Sequence, residues 1–139
     1  MRAKRNKAAL FIISTGVILW LTLFSRQSSG THKAEMRLMW GLQEMIAGNP
    51  NWKQYALYWI ENVLLFIPFG FLFPKNTLRL AMISGFLLSM GIEAVQYFGC
   101  LGLCELDDVI CNTLGSLAGF LLAMVVQRMV SIIKEKKSN

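Results

Sequence analysis

The chain has 139 residues, of which 55% are hydrophobic and only 16% charged, whereas a soluble domain is roughly 45–50% apolar and about 25% charged. With a mean hydropathy of +0.47, this composition argues against a soluble protein, which would have to fit four helices apolar on every side into one small core. The formal charge of +6 is explained below by membrane anchoring and does not mark a nucleic-acid partner.

In chain order, Arg2, Lys4, Arg5 and Lys7 precede a first apolar run, 8–24. A secretory signal opens in the same way, and its cleavage would leave three spans. The run is 17 residues long, however, and no A-x-A site follows it, so it is read as a span. Residues 25–55 form the one sizeable segment outside the apolar runs. Within it Met36, Met39, Trp40, Met45 and Ile46 fall close to one helical face, with Lys33, Arg37 and Glu44 towards the other, and Gly48 and Asn49-Pro50 end the pattern. The pattern predicts an amphipathic helix lying on the outer membrane surface, or else a connecting helix packed on the bundle.

The second and third apolar runs, 56–73 and 78–98, are separated so briefly that they predict an antiparallel hairpin, with Pro74 ending the first helix. "GCLGLCELD" then leads into the fourth run, 109–133. Each run is long enough to cross the ~30 Å hydrocarbon core. Ten of the 14 basic residues, including Lys75, Arg79, Arg128, Lys134, Lys136 and Lys137, fall on one side. The positive-inside rule therefore places both termini in the cytoplasm and residues 25–55 outside. The expectation is one all-α domain over 1–139, a multi-pass bundle of four transmembrane helices surrounded by membrane lipids.

Polar groups inside spans are costly and mark functional sites by default. Asn62, beside Glu61, lies ~9 Å inside the second span, and Glu93 is five residues from the outer end of the third, with Gln96 on the same face. Asp107 and Asp108 stand at the mouth of the fourth span, with Asn112 ~6 Å below them. Three helices thus deliver carboxylates and amides to one outer depth. Asp108, Asn112, Gly115 and Gly119 form a single stripe, whose glycines let another helix approach within the bundle and would equally serve a homodimer. Pro68, followed by Gly70, can kink the second span and open space beside the cluster.

No lysine or arginine of any span stands at the depth of Glu93. That carboxyl is therefore either neutral and bonded to Gln96 or Asn62, or part of a watery pocket that takes a cationic or hydrogen-bonding guest. The plainer alternative is interhelical bonding worth ~0.6–2 kcal/mol per residue. One of Asp107 and Asp108 can cap the fourth helix, leaving the other for a ligand. Cys100, Cys104 and Cys111 match no zinc spacing, and His32 is far from them in sequence, so no metal or other cofactor is implied. A Cys100–Cys104 disulfide and simple packing both remain open.

Three stretches, "NVLLFIPFGFLFP" (62–74), "GIEAVQ" (91–96) and "LDDVICNTLGSLAG" (106–119), resemble, in order and spacing, the VanZ-like family of small bacterial membrane proteins. Asn62, Pro68, Gly70, Glu93, Gln96, Asp108, Asn112 and Gly115 fall on its motif positions. Many members carry an arginine just ahead of the acidic motif, where this chain has Gly102, so an arginine–carboxylate pair is not carried over. The resemblance implies a place in the bacterial cytoplasmic membrane and an envelope role tied to teicoplanin resistance.

The favoured expectation is a protein that binds or shields an amphiphilic glycopeptide or envelope lipid through Asn62, Glu93, Gln96, Asp107, Asp108 and Asn112. The alternatives are an intramembrane enzyme on an amphiphilic substrate, with Glu93 and Asp108 as acid and base but no Ser/Cys/His nucleophile arrangement, and a proton-coupled transporter using Glu93.

Overall fold

The structure, a computed structural model, describes residues 2–74 and 77–138. Lys75, in the expected turn of the hairpin, lies outside the described residues. Helix α1 (Arg2–Leu19) runs into a π-helical turn, Trp20–Phe24. A short strand β1 (Lys33–Glu35) and a two-turn helix α2 (Trp40–Ile46) follow. Then come α3 (Trp52–Leu72), α4 (Leu78–Phe98), β2 (Leu103–Glu105) and α5 (Leu106–Ser138).

Four helices are long and apolar enough to span a membrane: Arg5–Phe24, Trp52–Leu72, Leu78–Phe98 and Leu106–Lys137. They coincide with the four expected spans. Their outward faces stay apolar, with Ile12, Ile13, Phe24, Leu87 and Phe98 all largely exposed, as befits a surface solvated by hydrocarbon. Pro68 lies inside α3 without ending it, and Pro74 imposes the stop: Phe73, the residue before it, turns extended at ψ 129°. Helix α5, at 33 residues, is ~50 Å long and outruns the membrane core.

The segment between α1 and α3 differs from expectation. The helix is confined to Trp40–Ile46, entered through Met39 at φ 54°, and Met36 lies upstream of it. Its placement is that of the packed connecting helix: α2 packs on α3, and its buried Gly41 donates its N–H to Asp107. Upstream, β1 pairs with β2 in a parallel ladder, Lys33 with Leu103, Ala34 with Cys104 and Glu35 with Glu105. Ser29 extends the seam by bonding the Cys100 carbonyl through its backbone N–H (2.7 Å) and its hydroxyl (3.0 Å). The loop between the third and fourth spans is thereby fixed by the loop after the first.

Small residues set how close the spans come. Gly115 and Gly119 press on the backbone of α3 at the Val63 and Ile67 carbonyls, and Gly70 presses on the Ser116 carbonyl; a side chain at any of the three would collide with main chain. Ser116 is fully buried, touches Gly85 of α4 and donates its hydroxyl to the Ala81 carbonyl at 3.0 Å. The glycine stripe of α5 therefore faces α3 inside the bundle. Around it Ile18, Phe66, Phe69, Phe73, Ala81, Ile92 and Phe120 form the apolar core, with Phe11 of α1 and Phe69 tilted against each other at 4.9 Å.

Gly119→Leu is accordingly expected to push α3 off α5 at a cost at or above the ~1–3 kcal/mol usual for overpacking, read as a lower melting temperature and a broadened size-exclusion peak. Gly16→Ala and Gly91→Ala meet open space and should behave as wild type. A Gly119→Leu protein indistinguishable from wild type would refute the close α3–α5 contact.

Candidate functional site

Polar side chains collect at the end of the bundle that carries the 25–51 segment and the α4–α5 loop, but they divide into two groups. The first holds helices together. Gln96 of α4 donates to the Thr22 carbonyl at 3.0 Å, and Asn112 of α5 donates to the Ser89 hydroxyl of α4 at 2.8 Å. Asp107 receives the Gly41 N–H at 3.0 Å and the Trp59 indole N–H at 3.3 Å through one oxygen, which seats α2 against α3 and α5. All three are buried, and Gln96 Oε1, Asp107 Oδ1 and Asn112 Oδ1 meet no donor from the described residues.

The second group faces open space. A cavity of about 450 Å³ is lined by Arg26, Trp40, Tyr58, Glu61, Asn62, Leu103, Glu105 and Asp108. Asn62 donates its amide to Asp108 Oδ1 at 2.6 Å, and the Asp108 and Glu105 carboxyls are hydrogen-bonded to each other. Beside it lies a mostly apolar cleft of about 350 Å³, whose wall includes Met36, Met90, Tyr97, Leu106 and Val109 together with Glu93 and Glu105. Glu105 borders both spaces. Glu93 is buried and does not bond to Gln96 or Asn62; its Oε2 accepts the backbone N–H of Glu105 at 2.9 Å, so it holds the loop that presents that residue.

Of the six residues expected at a ligand, Asn62 and Asp108 thus line the polar cavity and Glu93 lines the cleft, while Gln96, Asp107 and Asn112 line neither. No span supplies a cation here, but Arg26, just beyond the first span, does. Leaving the end of the first span, its guanidinium occupies the space over Gly102, where a side chain would collide with Nη1 at 2.6 Å. An arginine is therefore supplied from elsewhere in the chain, at the loop where the sequence lacks one. It forms no ion pair within 4.0 Å; among the described residues such pairs join only Arg37 to Glu35 and Glu44.

Arg26, Glu105, Trp40 and Tyr58 were not legible as site residues. The signals available were the position of Arg26 directly after a span and of Glu105 directly before two aspartates. Burial, followed by the neighbouring Asp108 charge, pushes the Glu105 carboxyl above its ordinary value. Burial likewise raises the Cys104 thiol, which makes it a poor nucleophile.

Cys100, Cys104 and Cys111 are free thiols. His32, distant in sequence, lies beside Cys100 with Nδ1 3.4 Å from Sγ. That nitrogen is also 2.7 Å from the Tyr97 carbonyl, and the shorter contact requires it to carry the proton and donate. Nδ1 is therefore not available to accept the thiol proton. Among the described residues no three His, Cys, Asp or Glu side chains converge as metal ligands.

A family model described as VanZ/LLP1 matches residues 11–127. Protein VanZ of Enterococcus faecium is similar, at 28% identity over 127 residues, covering 85% of this chain and 71% of that protein. No solved structure matches. The matched region takes in the second and third spans whole, most of the first and fourth, and every residue of both the cavity and the cleft, and the chain belongs to the VanZ/LLP1 family.

Proposed function

We propose that this membrane protein acts in the bacterial cell envelope and contributes to glycopeptide resistance, teicoplanin above all, by binding or shielding an amphiphilic ligand at the outer leaflet. The observation that carries the reading is the shared position of Glu105, whose side chain borders a polar cavity on one side and an apolar cleft on the other. An amphiphile needs both environments at once, a polar site for its head and an apolar wall for its chain. Asn62 and Asp108 serve the head, and Met36, Met90 and Val109 suit the chain. Teicoplanin carries a fatty acyl tail that vancomycin lacks, so a device with an apolar cleft discriminates between them.

The basic residues at the end carrying both termini support the orientation: with that end in the cytoplasm, the cavity opens outwards, where a glycopeptide arrives. The acid–base alternative, with Glu93 and Asp108 as the working pair, is less favoured because Glu93 is occupied by the loop amide.

In a sensitive Gram-positive host, the wild-type chain is expected to raise the inhibitory concentration of teicoplanin and leave that of vancomycin nearly unchanged. At matched membrane abundance, Asp108→Asn should abolish the protection by altering the head site. Met90→Trp should abolish it by filling the cleft. Equal protection against both drugs, or protection that survives both substitutions, would sink the reading.

Glu105 adds a pH dependence. Its raised folded-state value means that the protonated form contributes stability below the ordinary carboxylate range, and that this contribution is lost as pH rises through the folded value. The melting temperature of the purified protein should therefore fall from mildly acidic to mildly alkaline pH, and Glu105→Gln should flatten the slope. An identical slope in the variant would assign the titration to another group.

A further inference from the structure

The polar cavity brings groups of both signs together without closing them into ion pairs. Arg26 stands in its wall without an ion pair, and Glu61, Glu105 and Asp108 line it without a cation within 4.0 Å. A site meant for a simple cation gains nothing from an arginine, which repels the guest. A site meant for a simple anion is equally ill served by three carboxylates. In a structural ion cluster the arginine would close on an acid, because its planar fork matches a carboxylate in bidentate geometry. Here the fork is held at Gly102, a position open to it only because that residue has no side chain. Trp40 and Tyr58 complete the wall with aromatic faces, a surface that favours an ammonium group.

From this arrangement we infer that the head group taken by the polar cavity is zwitterionic, with its anionic group on the Arg26 fork and its primary ammonium on the hydrogen-bonded Asp108–Glu105 carboxyl pair. The inference rests on the amphiphile reading above and narrows it to a ligand class: a phosphate or carboxylate and an amine carried a few atoms apart on one lipid-like chain. Such a guest meets the guanidinium and the acidic pair simultaneously, which neither half of it could do. Asn62 contributes by holding Asp108 Oδ1, which fixes the carboxyl pair that meets the ammonium. Phosphoethanolamine amphiphiles have this chemistry, and so do amphiphiles ending in an amino-acid group.

The full chain in nanodiscs of phosphatidylglycerol, which lacks an amine, allows a direct test. Four probes would be titrated with Trp fluorescence as the readout: a short-chain lysophosphatidylethanolamine, the matching alkylamine, the matching alkyl phosphate, and soluble phosphoethanolamine. The zwitterionic amphiphile is expected to bind roughly tenfold or more tightly than either singly charged amphiphile, the equivalent of about 1.4 kcal/mol or more. Arg26→Gln should erase its advantage over the alkylamine, and Asp108→Asn its advantage over the alkyl phosphate. Arg26→Lys, which keeps the charge, should retain most of the preference and also controls for folding, alongside the size-exclusion profile.

If the alkylamine binds as tightly as the zwitterion and Arg26→Gln changes neither, the inference falls while the amphiphile reading stands. If no amphiphile binds the wild type, both fall. Free phosphoethanolamine binding as well as the lipid would assign the cavity to a soluble guest and overturn the amphiphile reading, and zwitterion binding unchanged in every variant would place the lipid elsewhere.

Discussion

The arrangement depends on the main-chain approach of α3 and α5. With Gly115 on the Val63 carbonyl and Gly119 on the Ile67 carbonyl, the two helices run parallel in a register that cannot slide, because each glycine can be seated only where the facing backbone leaves room for a hydrogen. Lipid offers no hydrophobic force between helices, so this close packing, with its Cα–H···O contacts, has to supply the association. Gly70 against Ser116 and Asn62 against Asp108 are each separated by 46 positions in sequence. The register that seats the glycine near the bundle centre therefore also sets the amide beside the carboxylate nearer its polar end.

Once that register is fixed, the buried polar groups are consumed between elements. Gln96, Asn112 and Asp107 are consumed in tying α4 to the first span, α5 to α4, and α2 to α3. Glu93 is consumed by the Glu105 amide. The cavity wall holds the more open groups: Arg26 and Glu61 are exposed, and Glu105 and Asp108 are half-buried.

The sequence carried the spans, the convergence of polar residues and the inward-facing glycine stripe, because each depends on helical periodicity and length alone. Asn62 and Asp108 were legible because both lie in regular helix at the depth that simple counting gives. The strands β1 and β2 were hidden, since three-residue segments hold no periodic signal and their partners lie 70 positions apart, as with Lys33 and Leu103. Met36 and Met39 imitated a longer helix because residues on either side of a kink at Met39 can share spacing without sharing a face. Arg26 and Glu105 were missed for the same reason as the strands: their placement is set by long-range loop pairing.

Arg26 owes its direction to an irregularity in the first span. Over Trp20–Phe24 the helix widens to a π turn, closed by the Ser25 N–H to the Trp20 carbonyl at 2.9 Å, five residues back. Such a turn admits one residue more than an α-turn, and one residue corresponds to ~100° of rotation about the axis. In a regular helix Arg26 would leave on another face and miss Gly102. The same turn lies where helix-end carbonyls lack amide partners, and the Thr22 carbonyl takes the Gln96 amide instead. One buried hydrogen bond between the first span and α4 therefore holds the distorted turn in place, and the distorted turn carries the arginine to the acids of α5.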